Sequence, residues 1–284
     1  MYKDKKVLVT GSSGFVGSKL SSLLIKQGAN VIEFDKENGD DITDFESLTC
    51  FGEIDIIFHL AAIMFVPFTQ KNPQITYSVN VLGTLNILEL ARISNSKLVF
   101  TSSYVYGNPE KLPVSEKHEL KPTNTYSKSK ILGEEMCKIF NQDYEVPVTI
   151  LRPFNIYGKG QNDNFLIPLI VSQLNSGKII LNSKFPKRDF IHVSDVVSAY
   201  IKAGIYSANN FDIFNIGSGV SISVENLVDK IIYLSDKKPN VEYKNINRSN
   251  EIMDTVADIK KAKDLLDWKP KKSLDQGLSE LLLI

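Results

Sequence analysis

The sequence is poor in the residue types that build disulfide frameworks and metal centres: its 284 residues include two cysteines and three histidines. Cys50 and Cys137 lie far apart, so they do not suggest a disulfide framework. Cys137 falls on a predicted helix face, where we expect it in the core. His59, His118 and His192 are isolated from one another and from any cysteine pair. No metal-ligand spacing results, and we predict no metal site.

Excess charge of one sign and long apolar runs are also missing. Lys plus Arg and Asp plus Glu number 33 each, which gives no indication of a nucleic-acid surface. No run of about 18 apolar residues occurs, so we predict no membrane span. No apolar signal core follows the first residues, and we expect a cytoplasmic protein.

A glycine-rich turn, Thr10 to Gly17, is the most informative segment that is present. It follows an apolar strand-like run and precedes a helical pattern. Gly11 permits a tight turn, Gly14 allows a pyrophosphate to approach the backbone, and Gly17 lets the helix pack close to the strand. Asp35 closes the next strand, about 20 residues on, where a carboxylate binds the adenosine ribose. The pattern predicts a dinucleotide site with phosphates at a helix N-terminus.

Apolar runs alternate with amphipathic segments through residue 153, which predicts an α/β fold with a Rossmann-type, doubly wound parallel sheet. The predicted strands are 6–10, 30–35, 55–61, 97–103 and 147–153, and the predicted helices are 15–27, 73–94 and 124–141.

The character of the sequence changes after residue 154. The stretch 155–192 is richer in Asn, Gly, Lys and Pro and is expected to be rich in loops. A helix and a strand then return at 193–217. We predict a nucleotide-binding core of 1–154 with 193–217, and a smaller α/β substrate lobe formed by 155–192 and 218–284.

Three residues form a candidate catalytic group. Ser102 follows the fourth strand, at the sheet edge where parallel sheets bind ligands. Tyr126 and Lys130 are spaced i, i+4 on one helix face. A neighbouring ammonium and an oxidised nicotinamide would lower the pKa of a tyrosine and let it act as a base. Ser102 could donate a hydrogen bond to the substrate oxygen.

These motifs together resemble an extended short-chain dehydrogenase/reductase, of the NAD-dependent epimerase/dehydratase family that modifies nucleotide sugars. The resemblance covers essentially the whole chain and implies a Ser102, Tyr126 and Lys130 triad. It implies cofactor contacts from Gly11, Ser13, Gly14, Phe15, Val16, Gly17, Asp35, Lys36, Asp41, Ile42, Leu60, Ala61, Ala62, Asn80, Tyr126, Lys130 and Pro153. It implies substrate contacts from Ser102, Ser103, Asn155, Arg188 and Arg248.

The residues after Ser102 restrict the reaction. Dehydratases of this family carry Asp-Glu there, and decarboxylases carry a Glu, whereas this chain has Ser103 and Tyr104. Neither side chain can act as a carboxylate base at neutral pH, so elimination and decarboxylation are disfavoured. Hydride chemistry at C4 of a nucleotide sugar remains.

Two hydride reactions and one non-catalytic function stay open. Asp35 favours NAD over NADP, because a carboxylate repels a 2′-phosphate, and this favours a 4-epimerase that recycles its NAD. The stretch 182–187 lacks the family's glycines, and the chain is short, which are features of 4-keto-6-deoxysugar reductases. Non-catalytic NAD(P) sensors in the superfamily usually lose the Tyr or the Lys, and both are present here. The sequence does not identify the nucleotide or the sugar.

The resemblance also implies a homodimer, in which two helices of each chain form a four-helix bundle. The helices are those predicted near 73–94 and 124–141. Their expected outer faces carry Ile87, Leu90, Ile131 and Met136.

Overall fold

A parallel six-stranded sheet forms the centre of the molecule in the computed structural model, which describes residues 1–246 and 251–283. Its order is β2-β1-β3-β4-β5-β9, and every neighbouring pair is parallel. Five of its strands coincide with the predicted apolar runs, and the predicted fold class is confirmed. The strands are β1 (Lys6–Thr10), β2 (Asn30–Phe34), β3 (Ile56–His59), β4 (Lys97–Thr101), β5 (Val148–Pro153) and β9 (Phe211–Ile216).

Helices cover both faces of this sheet. The α-helices in the described part of the chain are α1 (Gly17–Lys26), α2 (Phe45–Thr49), α3 (Val66–Lys71), α4 (Pro73–Tyr77), α5 (Gly83–Ile93), α6 (Thr125–Tyr144), α7 (Leu166–Leu174), α8 (Val193–Ile205), α9 (Val224–Ser235), α10 (Lys260–Leu266) and α11 (Leu274–Leu282). On β1, Val7 and Val9 face the apolar cluster with α1 and α8, and Leu8 faces the cluster with α5 and α6. This alternation is what a strand buried on both faces requires.

In the sheet, β2 lies on one side of β1 and β3 lies on the other. The connections that follow β1 and β3 therefore lead in opposite directions, which opens a crevice at the carboxyl ends of these two strands. The turn 10–17 and the segment 59–62 lie at this crevice. Ligands of doubly wound sheets bind at such switch points.

A second apolar cluster is built by α7, α9 and α11 with short strands. Three of these strands, in the order β10-β8-β6, form one small sheet, and β7 and β11 pair separately. The strands are β6 (Asn155–Tyr157), β7 (Lys178–Leu181), β8 (Lys187–His192), β10 (Ser221–Ser223) and β11 (Asn240–Tyr243). The expectation that 155–192 is rich in loops is wrong, because one helix and three strands lie there. The boundaries between core and lobe stay a prediction.

Two residues expected on an outer helix face are in the core. Ile87 is fully buried and Leu90 is 2% exposed on α5, where both pack against strands of the sheet. Cys137 is buried as expected, and both cysteines are free thiols.

Within residues 1–246 and 251–283, no helix combines the length and apolarity that crossing a membrane requires. The same residues contain no group of three or more His, Cys, Asp or Glu side chains placed to hold a metal ion.

Candidate active site

The glycine turn lies at the crevice with little space for side chains. Gly11 has a φ of 72°, in the left-handed region, and a Cβ there would come within 2.8 Å of the backbone nitrogen of Ala61. A Cβ at Gly17 would collide with the carbonyl oxygen of Gly11. The Ser12 hydroxyl is buried in this turn and has no hydrogen-bond partner among the described residues. The turn therefore has the shape of a phosphate-binding loop, or phosphate cradle. It also contains one buried hydroxyl that forms no hydrogen bond with the described protein atoms.

Asp35 closes one side of the cradle. Its carboxylate accepts hydrogen bonds from the backbone N–H groups of Ser13, at 2.9 Å, and Glu37, at 3.0 Å. This holds the carboxylate directly beside the glycine turn, where the sequence predicts a ribose contact. Lys36 and Asp41 are exposed nearby, and hydrogen bonds from Thr43 hold the pKa of Asp41 below its usual value.

The remaining predicted cofactor contacts on this side differ in exposure. Ile42 is 6% exposed and packs against Gly83, so little of its side chain is accessible to a ligand. Phe15 and Val16 are partly exposed and pack against the core. Pro153 is buried at the end of β5.

Buried hydrogen bonds fix the carboxyl end of β3. The His59 ring nitrogens lie 2.8 Å from the Thr10 hydroxyl and 3.0 Å from the Thr84 hydroxyl. Burial holds the pKa of His59 well below its usual value, so the ring is neutral. Leu60 and Ala61 then donate backbone N–H groups to the Thr10 carbonyl and hydroxyl oxygens. Ala62 follows on the same segment. His59 thus has a structural role beneath the cradle.

Asn80 lies in a π-helical turn, Ser78–Leu82, a geometry that is frequent at functional sites. Asn80, predicted to contact the cofactor, is 1% exposed, and its side chain bonds other protein groups. The Asn80 amide accepts from the N–H of Ile63 at 2.8 Å and donates to its carbonyl at 3.0 Å and to the Ser129 hydroxyl at 2.9 Å. Ser129 donates to the carbonyl oxygen of Tyr126. Asn80 therefore positions the first turn of α6.

Tyr126 and Lys130 occupy the first two turns of α6, which a capping box of Asn124 and Ser127 begins. Lys130 is 1% exposed, with its ammonium 4.5 Å from the centre of the Phe100 ring, and burial lowers its pKa to about 8. Burial raises the pKa of the partly exposed Tyr126, and a hydrogen bond with Ser103 opposes the rise. The protein alone therefore favours a neutral phenol beside a largely protonated lysine.

The two serines after β4 differ in burial. The Ser102 hydroxyl donates to the carboxylate of Glu134, and Ser102 is 1% exposed. Ser103 is partly exposed. The assignment of Ser102 to a catalytic triad with Tyr126 and Lys130 stays a prediction.

A buried ion pair lies directly behind these residues. The Arg152 guanidinium forms two hydrogen bonds with the Glu134 carboxylate, and the side chains are 3% and 5% exposed. Arg152 also donates to the Tyr106 hydroxyl at 2.8 Å, and Tyr106 donates to Asn215 at 2.6 Å. The network joins α6, β5 and β9 under the candidate site.

On the side of the second apolar cluster, Arg188 pairs with Glu251 and donates to the carbonyl oxygen of Ile252 at 2.6 Å. The Arg188 and Glu251 side chains are 20% and 18% exposed. Asn155 donates to the carbonyl of Asp189. Arg248, the other predicted phosphate contact, lies outside the described residues.

Comparison with known proteins identifies the family. The model of the NAD dependent epimerase/dehydratase family matches residues 7–217. The chain belongs to this family.

Two relatives illustrate its range. The chain is 33% identical to a putative UDP-glucose 4-epimerase of Methanocaldococcus jannaschii, over 97% of this chain and 97% of that protein. It is 28% identical to the dTDP-4-dehydro-6-deoxyglucose reductase of Escherichia coli, over 97% of this chain and 96% of that protein.

Solved structures of the epimerase/dehydratase family agree with the fold. The UDP-glucose 4-epimerase of Thermotoga maritima with UDP-glucose superimposes with a TM-score of 0.92 at 27% identity, covering 98% of this chain and 97% of that one. MoeE5 in complex with UDP-glucose and NAD gives a TM-score of 0.90 at 29% identity, covering 98% and 97%.

Sequence reasoning missed Glu134 and Glu251 in this member of the epimerase/dehydratase family. Glu134 had a detectable signal, since Tyr126, Lys130 and Glu134 are spaced i, i+4 and i+8 on one face of α6. Its partner Arg152 lies on another element, so the pairing depends on the tertiary fold. Glu251 carried no such spacing relative to Arg188.

Proposed function

We propose that the protein is an NAD-dependent nucleotide-sugar epimerase that acts at C4. The observation that carries this proposal is the placement of Tyr126 and Lys130 on the first turns of α6, at the sheet edge that holds the glycine turn. Similarity to UDP-glucose 4-epimerases over nearly the whole chain supports it.

The cradle fits a dinucleotide. Gly11, Gly14 and Gly17 leave room for a pyrophosphate at the N-terminus of α1, and the unsatisfied Ser12 hydroxyl lies within the same turn. Asp35 would accept hydrogen bonds from the adenosine ribose and disfavour a 2′-phosphate. When bound, NAD would supply reversible hydride transfer at C4 of the sugar.

Tyr126 would move the proton at the C4 oxygen. In the oxidative half, the phenolate takes the C4 hydroxyl proton, and in the reductive half the phenol returns it. Burial favours the neutral phenol, so the oxidative half needs nearby positive charge. Lys130, at i+4 on the same helix, supplies an ammonium whose pKa of about 8 leaves it mostly protonated at neutral pH.

The diphosphate of the substrate would meet Arg188, whose guanidinium suits bidentate bonds to phosphate oxygens. Arg188 is already paired with Glu251, so a diphosphate would have to compete with that carboxylate. Arg248 stays a second candidate for this contact, from sequence alone. Because relatives are UDP-sugar epimerases, we propose a UDP-hexose as the first substrate to test.

Reduction of a nucleotide 4-keto-6-deoxysugar is the second candidate function. The similarity to a dTDP-4-dehydro-6-deoxyglucose reductase supports it, and the same Tyr126 would protonate the carbonyl oxygen once. A non-catalytic cofactor sensor would not need the Tyr126 and Lys130 pair.

The test is to incubate the purified protein with NAD and UDP-glucose, UDP-galactose or UDP-N-acetylglucosamine, and to follow the products by NMR. We expect interconversion of C4 epimers with no net change in nicotinamide absorbance. Stoichiometric NAD(P)H consumption with a 4-keto sugar, and no epimer formation, would instead establish the reductase. Absence of both reactions would favour the sensor function.

We also propose a homodimer. Leu82 and Leu85, before and within α5, and Leu132 and Ile139 on α6 are 40–48% exposed. The two helices pack side by side, so these leucines and isoleucine supply an apolar surface for a second copy. The two free thiols suit a reducing compartment, and we propose a cytoplasmic location.

A further inference from the structure

The carboxylate of Asp189 is buried and holds four hydrogen-bond donors. Asp189 follows Arg188 on β8 and is 0% exposed. One of its oxygens accepts from the N–H and the hydroxyl of Ser218 at 2.7 and 2.6 Å, and the other accepts from the N–H groups of Gly219 at 2.9 Å and Ala257 at 3.0 Å. Burial raises the pKa of this carboxyl group, and the four donors oppose the rise. Because every partner donates, the partners stabilise the ionised carboxylate.

The bonds of Asp189 join several parts of the chain. The turn after β9 supplies three of the donors, and Ala257 supplies the fourth from residues 251–258, which we call the strap. The backbone N–H of Asp189 also donates to the Thr255 hydroxyl in the strap at 3.2 Å. The carbonyl oxygen of Asp189 accepts from Asn155 on β6 at 3.2 Å. One buried residue therefore links the end of the central sheet, the small sheet and the strap.

The strap carries the partners of Arg188. Arg188 forms an ion pair with Glu251 and donates to the carbonyl oxygen of Ile252 at 2.6 Å. On its other side, the strap is bonded by Asn108, whose amide donates to the Glu251 carbonyl at 3.2 Å and accepts from the Met253 N–H at 3.1 Å. The position of the Glu251 carboxylate relative to Arg188 is thus set by how the strap is bonded to its neighbours.

A bound diphosphate would take the Arg188 guanidinium from Glu251. Bidentate bonds to phosphate oxygens require one orientation of the guanidinium plane. While the strap is fixed, only the Glu251 side chain has to move, and Arg188 can keep its bond to the Ile252 carbonyl. A strap released from Asp189 would let Glu251 follow the guanidinium and compete with the phosphate.

We propose that Asp189 is a positioning residue for the diphosphate of the substrate: its carboxylate holds the strap on β8, and the strap holds Arg188 in the orientation that a diphosphate requires. This inference rests on the proposed function, which assigns Arg188 to the diphosphate. Asp189 itself makes no contact with the substrate in this arrangement, because protein donors already occupy its carboxylate.

The experiment is a double-mutant cycle in the full-length protein, formed by Asp189→Asn, Arg188→Ala and the two together. Asn keeps the shape of Asp but presents an NH₂ group where two donors need an acceptor. We expect Asp189→Asn to raise KM for the nucleotide sugar about tenfold, the lower end of the range for a lost charge-assisted contact, and to change kcat less than about twofold. In the Arg188→Ala background the same change should raise KM less than about twofold, because Asp189 acts through Arg188.

Asp195→Asn is the matched control. Asp195 is 4% exposed on α8, and its carboxylate accepts from the backbone N–H groups of Lys271 and Lys272 at 3.1 and 3.0 Å. It clamps these two residues rather than the strap, so its loss should lower Tm and leave KM unchanged. If Asp189→Asn is too unstable to purify, Ser218→Ala takes its place in the cycle. It removes one donor, keeps the carboxylate and should raise KM about threefold.

Two outcomes would overturn the inference: an unchanged KM in folded Asp189→Asn, or the same fold increase in both Arg188 backgrounds. If the wild type turns over no nucleotide sugar, the proposed function fails, and the cycle is measured as the Kd of UDP by calorimetry. Non-additive changes in Kd would then support Asp189 as a positioning residue for a diphosphate. Additive changes, or no binding of UDP to the wild type, would reject it.

Discussion

Tyr126 is the residue on which the proposed chemistry depends. Tyr126→Phe removes the hydroxyl that moves the C4 proton while keeping the ring. We expect kcat to fall at least about 100-fold, in line with general acid–base contributions of 10²–10⁴. Steady-state kinetics with the substrate found by NMR measure this, and thermal melting checks that Tm is unchanged. Turnover near that of the wild type would remove Tyr126 from the mechanism.

The buried Lys130 ammonium is expected to lower the stability of the folded protein while serving the proposed reaction. Folding lowers its pKa from the ordinary value of 10.5 to about 8, which corresponds to about 3 kcal/mol against the charged form. Lys130→Met should therefore raise Tm by about 5 °C while abolishing turnover. Lys128→Met, at an exposed position on the same helix, is the matched control and should change neither.

The destabilising effect of the buried Lys130 ammonium can be measured from the pH dependence of protein stability. Between about pH 8 and 10.5 the unfolded chain holds the lysine proton more tightly than the folded protein does. Stability from this group therefore rises with pH across that interval. The rise should be absent from the denaturation curves of Lys130→Met. If Lys130→Met and the wild type show the same pH profile, the ammonium is not desolvated.

At the scale of single residues, the glycines, Asp35, Tyr126 and Lys130 were predictable because their spacing is local. The bonds of Glu134 with Ser102 and Arg152 were not predictable. They join α6 to residues that are distant from it in the sequence, and sequence spacing does not show such contacts.

At the scale of elements, Arg188 on strand β8 forms an ion pair with Glu251, which lies more than sixty residues later in the sequence. Arg188→Ala should raise KM more than it lowers kcat, because a diphosphate is bound alike in ground and transition states. The expected loss is about 10- to 100-fold in kcat/KM, from about 1.5–3 kcal/mol per charge-assisted contact. Lys187→Ala, which removes an exposed charge from the same strand, is the control. Equal KM for Arg188→Ala and the wild type would exclude a phosphate contact.

The elements of the core were predictable because continuous apolar runs and helical periodicity mark them directly. The elements between 155 and 192 were harder, since Leu166–Leu174 lies among Asn, Gly and Pro residues that suggest loops. Their strands are only three to six residues long and find partners such as β10 and β11 far along the chain. Such pairing is a tertiary property, and a local pattern does not show it.

At the scale of the whole molecule, the apolar surface on α5 and α6 predicts an assembly. Leu132→Glu places a charge on this surface and should convert a dimer into monomers with the 31.8 kDa mass of one chain. Light scattering at micromolar concentration measures the mass. Tyr233→Glu on α9, at an 85% exposed position away from α5 and α6, should leave the dimer intact. A wild-type mass of one chain would refute the dimer.

The last strand of the central sheet also has a consequence during synthesis. β5 is buried along its whole length, yet its partner β9 is made about sixty residues later. At roughly 5–20 residues per second, the ribosome leaves one edge of β5 without a partner for about 3–12 seconds. An unpaired apolar strand is a site for association with other chains. The stage at which this protein most needs protection from aggregation is therefore its translation, before Phe211–Ile216 has emerged.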